Sequence, residues 1–275
     1  MVRKGLRDSL NRVGITKIVE VFHKDHVYRN LEDIPFDLII MSLEIEGQDT
    51  ATFISEMRNG RLGPHPFAMT LMLLPVAERE VLAKVIDCGP DDLLLMPVAP
   101  GQVLARIEAM THPRKPFVVT HNYTGPDRRK EKRPGTEEIP LIEGPNPLQA
   151  RVTGMRPDQF ETDMAEAVKR LNAAKLERYI VQMSWLDRAI HKLLAGDRVD
   201  EMVLRGHAMR LIQVAEDVPV RLPDSTGTVA KLASSVAACG NSLFLEAGDA
   251  RQKALGDLPM CCARLAREIN QRRLA

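Results

Sequence analysis

Short apolar runs alternating with segments of helical period dominate the first 112 residues. Leu6, Leu10 and Val13 recur at helical spacing and stop at Gly14, and Ile18 to Phe22 then reads as a strand. Asp25 to Ile34 reads as a short helix. Leu38 to Met41 is a wholly apolar run behind Pro35, the pattern of a strand buried on both faces. Asp49 or Thr50 caps a helix with Phe53, Ile54 and Met57 inward, which ends between Gly60 and Pro64. Phe67 to Leu74 (strand), Ala77 to Ile86 (helix), Leu93 to Met96 (strand) and a helix carrying Val103, Ile107 and Met110 complete the series. Strands alternating with helices through short joints predict a parallel sheet with right-handed crossovers.

The pattern changes after residue 112. Residues 113–154 hold seven prolines and few aliphatics outside two short runs, which predicts a linker. From Pro157 the period is helical throughout. Phe160, Met164, Ala167 and Leu171 share a face that Leu176, Ile180, Met183, Leu186 and Ile190 continue toward Gly196. Further helices are expected from about Val199 to Glu216, after Asp224-Ser225, and from Leu258 through Ile269, so that 155–275 forms an all-α bundle.

The order and spacing of residues 1–112 resemble the receiver domain of two-component response regulators. The matching residues are Phe36-Asp37-Leu38-Ile39-Ile40-Met41, Cys88-Gly89-Pro90-Asp91-Asp92-Leu93-Leu94 and Met96-Pro97-Val98. The resemblance implies a flavodoxin-like α/β fold with the site at the carboxyl ends of the strands. It also implies that Ser42 stands where receivers carry the phosphate-accepting Asp, Met96 where they carry a Lys, and Thr70 or Leu71 where they carry the switch hydroxyl. A hydroxyl is a poor acceptor from an acyl phosphate, and a thioether cannot replace an ammonium on phosphoryl oxygens. The family's interior first strand has no counterpart. Val2-Arg3-Lys4 before Leu6 matches the middle of a family first helix, so the expectation is a start upstream of Met1.

Charge sharpens the division of the chain. Lys and Arg number 38 against 37 Asp and Glu, or +1 overall, yet residues 113–135 count 7 basic and 2 acidic. That island contains Tyr123-Thr124-Gly125-Pro126-Asp127-Arg128-Arg129-Lys130, which resembles a tail seen after some bacterial receivers. The basic motif Arg128, Arg129 and Lys130 is read mainly as a solvated tether, with an anionic partner as the competing reading. One aromatic beside it gives little support for single-strand stacking, and no helix-turn-helix is recognisable, so nucleic acid is not the expected partner.

The remaining chemistry is sparse. Cys88, Cys239, Cys261 and Cys262 have neither zinc nor disulfide spacing, and Asp91-Asp92 and Glu44 with Glu46 read as solvated acidic pairs. His207 and His191 are the candidates for a phosphotransfer histidine in the bundle, but Arg210 and Leu211 follow His207 where that class favours Lys and Gly. No phosphate loop, nucleophile elbow or His-Glu-x-x-His is present, so no enzyme activity, cofactor or metal is expected. No apolar run approaches the ~18 residues of a membrane span, and a cytoplasmic location is expected. Three readings stand in order: a phosphorylation-independent signalling module that binds other two-component proteins, a phosphorelay protein, and a nucleic-acid-associated regulator. The long apolar face from Phe160 to Leu194 adds the expectation of a homodimer through 155–275.

Overall fold

The computed structural model describes residues 2–129, 139–196 and 198–273. The chain divides into two compact units, Met1–Arg170 and Leu171–Ala275. In the first, α1 (Val2–Arg12) and α2 (Lys24–Asp33) precede β1 (Leu38–Ser42) and a small hairpin, β2 (Glu44–Ile45) with β3 (Gln48–Asp49). Then come α3 (Ala51–Arg58), β4 (Met69–Leu74), α4 (Arg79–Asp87), β5 (Asp92–Leu95) and α5 (Pro100–Met110).

β1, β4 and β5 form a parallel sheet in that order, with Ser42 opposite Leu73 and Leu74 opposite Leu95. The period-2 pattern of β4 sorts the core into two layers. Met69, Leu71 and Leu73 face a layer built from Leu10 of α1 and Val103 and Ile107 of α5. Met72 and Leu74 face the other, with Leu31 of α2, Phe53 and Met57 of α3, and Val85 of α4. β4 is buried along its whole length because both its neighbours and both layers cover it. β1 lies at the edge of this sheet.

The strand expected from Ile18 to Phe22 does not form. Ile18 packs into the α1–α5 layer and Val21 into the α2–α4 layer, which is a strand's alternation, but among the described residues no strand pairs with it to complete a ladder. Val19 and Phe22 are left exposed.

Residues 113–154 also depart from expectation. Their described part is no solvated tether: β6 (Phe117–Val119), β7 (Thr124–Pro126) and β8 (Leu141–Ile142) pair antiparallel in the order β7-β6-β8, followed by α6 (Pro147–Thr153). All three residues of β6 are buried. Asn146 joins this segment to α5, donating to the Met110 and His112 carbonyls while its Oδ1 accepts from the Leu148 and Gln149 N–H groups that open α6. Gly89 and Gly125 let two backbones touch. A Cβ on Gly89 would stand 2.5 Å from the Thr124 carbonyl oxygen, and Gly89 holds a φ of +80.

α7 (Pro157–Leu194) runs from the first unit into the second, where α8 (Glu201–Arg221), α9 (Thr228–Leu245) and α10 (Asp249–Arg273) complete the helical region. Leu176, Met183 and Ile190 of α7 share a core with Leu204 and Leu211 of α8, Val236 of α9 and Leu258 and Leu265 of α10. Asp200 caps α8 by accepting from Met202 and Val203 N–H. Asp224 serves the start of α9 through the Val229 and Thr228 N–H groups, and the Val229 N–H, with the Thr226 hydroxyl and the Arg272 charge, holds its carboxyl down at about 2 against burial. Residues 157–170 of α7 belong to the first unit, so the extended apolar face that suggested pairing through 155–275 is shared between the two units.

The packed state of β6 has a measurable consequence. Phe117 is fully buried, with its ring centroid 4.9 Å from that of Phe67. Phe117→Ala is expected to cost ~3–5 kcal/mol in a urea titration of the whole chain. A tether residue would move stability by no more than ~0.5 kcal/mol.

Candidate functional site

Ser42 and Met96 both lie at the carboxyl end of the parallel sheet. Ser42 closes β1 half-buried, and its carbonyl accepts from Thr50 Oγ1 at 2.5 Å. Thr50 N–H donates to the Leu43 carbonyl, so the start of α3 is tied to the end of β1. Met96 N–H donates to the Leu74 carbonyl at 2.8 Å, and the Met96–Pro97 peptide is cis. Ser42, Leu74 and Met96 therefore line one end of the sheet.

Thr70 and Leu71 do not join them. Leu71 pairs with Ile40 and Asp92, and Thr70 lies one residue nearer the amino end of β4. Leu73 and Leu74 occupy the level of Ser42 and Leu95, so Leu71 and Thr70 lie two and three residues short of the level of Ser42. The cause is local: an unbroken apolar β4 gives its register only through its neighbours.

The charged groups near the mouth are held in exposed pairs. Lys84 meets Asp49, and His23 Nδ1 lies 2.6 Å from Glu46 Oε1. Burial raises Cys88 to about 11, so its thiol is protonated at neutral pH.

What the fold does bring together lies at the opposite end of the sheet. Arg58 ends α3 fully buried, four residues after Ile54 and on the same inward face. All its donors are used: Nε to the Gly89 carbonyl at 2.9 Å, one terminal nitrogen to the Pro66 and Ala68 carbonyls at 2.6 and 2.7 Å, and the other to Thr70 Oγ1 and Asp91 Oδ2 at 2.9 and 2.6 Å. Asp91 also accepts from Thr70 N–H at 2.8 Å, while Arg114 binds its other oxygen at 2.5 Å. Arg114 further donates to the Phe67 and Pro145 carbonyls at 2.6 and 3.0 Å. Phe117 lies beneath both guanidinium groups, 5.2 Å from that of Arg58 and 4.6 Å from that of Arg114.

The tail completes this arrangement. Arg128 donates to the Pro90 carbonyl at 2.5 Å and Tyr123 to the Pro126 carbonyl at 2.8 Å. Arg129 instead forks onto Asp127, with both contacts at 2.9 Å. The basic motif thus divides: Arg128 is a brace, Arg129 forms an exposed pair, and Lys130 lies outside the described residues.

Burial alone would raise Asp91, but the Arg114 and Arg58 charges and the Thr70 N–H bring its carboxyl below the ordinary value. Burial, with Arg114 adding to it, lowers Arg58 to about 10 against the opposing pull of Asp91. Both groups are ionised at neutral pH. Asp91 is accordingly no member of a solvated acidic pair; Asp92 alone reaches the surface, 3.2 Å from Arg106. Arg58 is hard to mark from sequence, because an arginine in the last turn of a helix ordinarily faces solvent. Its spacing from Ile54 was the available signal.

The bundle histidines lie in the other unit. His191 Nδ1 sits 2.9 Å from the Asp187 carbonyl and 3.1 Å from its carboxylate, a pairing within one helical turn. The His207 ring meets the half-exposed Trp185 edge-on, with centroids 5.3 Å apart. No helix among the described residues is long and apolar enough to cross a membrane. No family model matches the chain, and no curated protein matches it.

The buried cluster sets a pH limit. Because the folded carboxyl of Asp91 titrates below its unfolded value, its stabilisation is complete above about pH 4 and is lost as pH falls through the folded value. Asp91→Asn, which leaves two guanidinium groups facing a neutral amide, is expected to cost ~3–5 kcal/mol at neutral pH and to flatten the acid limb of the stability curve. An acid limb of unchanged steepness in this variant would count against the assignment.

Proposed function

We propose that this chain is a regulatory module of two-component type, with a degenerate flavodoxin-like receiver, which acts in the cytoplasm through protein–protein contacts and not by accepting phosphate. The parallel order β1-β4-β5, with α3, α4 and α5 following the strands in turn, supports the receiver reading, since it corresponds to the last three strands of that arrangement. The observation that carries the functional part is the composition of the sheet's mouth. Ser42, Leu74 and Met96 present one hydroxyl and two apolar side chains where phosphoryl transfer through a receiver needs a carboxylate nucleophile, a hydroxyl switch and a cation on the phosphoryl oxygens.

A module without that chemistry transmits information through its surfaces. The helical unit offers one such surface: Val181 and Trp185 are exposed four residues apart on α7, and the Trp185 ring reaches His207 of α8. Trp is the residue type most enriched at binding hot spots. Other signalling proteins are the partners this reading implies.

Incubation with acetyl phosphate and Mg²⁺, followed by intact-mass measurement, tests the reading. The mass is expected to stay unchanged. Gain of one phosphoryl group that disappears in Ser42→Ala would overturn it in favour of receiver chemistry. A gain that disappears in His207→Ala or His191→Ala would favour a phosphorelay role for the bundle.

A further inference from the structure

We infer that Cys239 of α9 and Cys261 of α10 form a reversible oxidation site, at which a hydroperoxide joins the two helices through a disulfide. The inference goes beyond the protein–protein reading above and does not depend on it. The first observation is a cluster that sequence spacing does not suggest. Cys239, Cys261 and Cys262 meet in the core that α9 and α10 share. Residues 246–248 alone separate the two helices, which pack side by side with α-carbons inside 8 Å of one another. α9 permits this approach because Ala237-Ala238-Cys239-Gly240, around the thiol, carries only short side chains.

The second observation is that the cluster selects one pair. Cys239 makes a side-chain hydrogen bond with Cys261 across the two helices. Cys262 follows Cys261 in sequence and lies about 100° further round the helix, where it feels the Asp187 charge of α7. Adjacent residues on a helix do not face each other, so Cys261 and Cys262 are not a competing pair.

The third observation divides the roles, because access differs. Cys239 is buried and Cys261 half-buried. Burial, with the Cys261 sulfur beside it, pushes the Cys239 thiol up to about 12, and burial does the same for Cys262. An oxidant from solvent therefore meets Cys261, with Cys239 held beside it as S–H. Cys261, as its thiolate, attacks one oxygen of the hydroperoxide. An S–O bond forms, the O–O bond breaks, and the other oxygen leaves as an alcohol, or as water from hydrogen peroxide, after taking up a proton. The Cys239 sulfur then attacks the sulfenic sulfur of Cys261. The S–S bond forms, the S–O bond breaks, and the hydroxyl departs with the Cys239 proton as water. The pair of thiols is oxidised by two electrons and the peroxide is reduced by two. A thiol reductant reverses the link by exchange, as it does for the transient disulfides of reducing compartments.

Intact-mass measurement of the full chain, treated with hydrogen peroxide while its circular dichroism stays native, tests the inference. The mass should fall by about 2 Da, the two hydrogens of one disulfide, and dithiothreitol should restore it. Cys239→Ser and Cys261→Ala should each abolish the loss, whereas Cys262→Ala and Cys88→Ala should keep it. Should a core variant unfold, fragmentation of the linked peptide from the unmodified chain still shows which sulfurs are joined. An unchanged mass in the folded protein, oxidation that stops at a sulfinic acid with no link, a link from Cys239 to Cys262 or Cys88, or a loss that persists in a folded Cys261→Ala chain would each overturn the inference. None of these outcomes bears on the reading of the Ser42 mouth, which the acetyl phosphate experiment tests separately.

Discussion

The ion pair between Arg58 and Asp91 is the constraint on which the first unit depends. A guanidinium with no exposure to solvent must have its donors met by the protein, and here they fix five otherwise independent pieces of backbone. The end of α3, the approach to β4, the first residues of β4, the Gly89 turn and the start of β5 are all held by one side chain. An apolar residue at 58 could fill the volume but could not define the relative level of β4 and β5. The pair ties the level of β4 to that of β5, and β4 benefits from such a tie, since its run of Met, Thr and Leu carries little marker of register of its own.

The segment after α5 belongs to the same construction. Arg114 binds the second oxygen of Asp91, Phe117 underlies both guanidinium groups, and Arg128 reaches the Pro90 carbonyl beside them. Arg58 alone would neutralise Asp91; adding Arg114 makes the local charge positive and costs further desolvation. The aromatic face of Phe117 and the carbonyls of Phe67 and Pro145 offset part of that cost. The result is that a proline-rich stretch is held to the sheet by directional contacts together with the buried side chains of β6.

This explains what the sequence revealed and what it hid. The strand and helix order of residues 38–110 was legible because hydrophobic period survives without any knowledge of partners: Leu38 to Met41, Phe67 to Leu74 and the helical triplet Val103, Ile107 and Met110 all fall in elements of the expected kind. Residues 113–154 were not, because prolines and basic residues usually mark solvated chain, and only the tertiary contacts of Arg114, Phe117 and Arg128 show otherwise. Two short runs, Phe117 to Val119 and Leu141-Ile142, were the visible traces of β6 and β8. The strand expected at Ile18 to Phe22 failed for the converse reason. Alternation is a property of the segment, whereas a strand is a property of a pair. At the site, the apolar mouth around Ser42 and Met96 followed from identity alone, while the level of Thr70 depended on a register that a featureless run cannot announce.

The helical unit repeats the same device in a different setting. Tyr179 of α7 and Arg221 of α8 both donate to Asp217, and Arg221 also reaches Asn172 at 3.1 Å, all within an otherwise aliphatic interior. Burial raises the Tyr179 hydroxyl above its ordinary value, so it remains a donor at neutral pH. Coiled helices with aliphatic seams can slide by a turn at small energetic cost, because one leucine layer resembles the next. A donor on α7 and an acceptor on α8 oppose that freedom, since a one-turn slip would leave the buried Tyr179 hydroxyl without its acceptor. Pro219 lies between Asp217 and Arg221 and deletes a helical hydrogen bond at this same turn. The helical unit therefore places a buried polar contact between α7 and α8 beside a turn of α8 that lacks one backbone hydrogen bond.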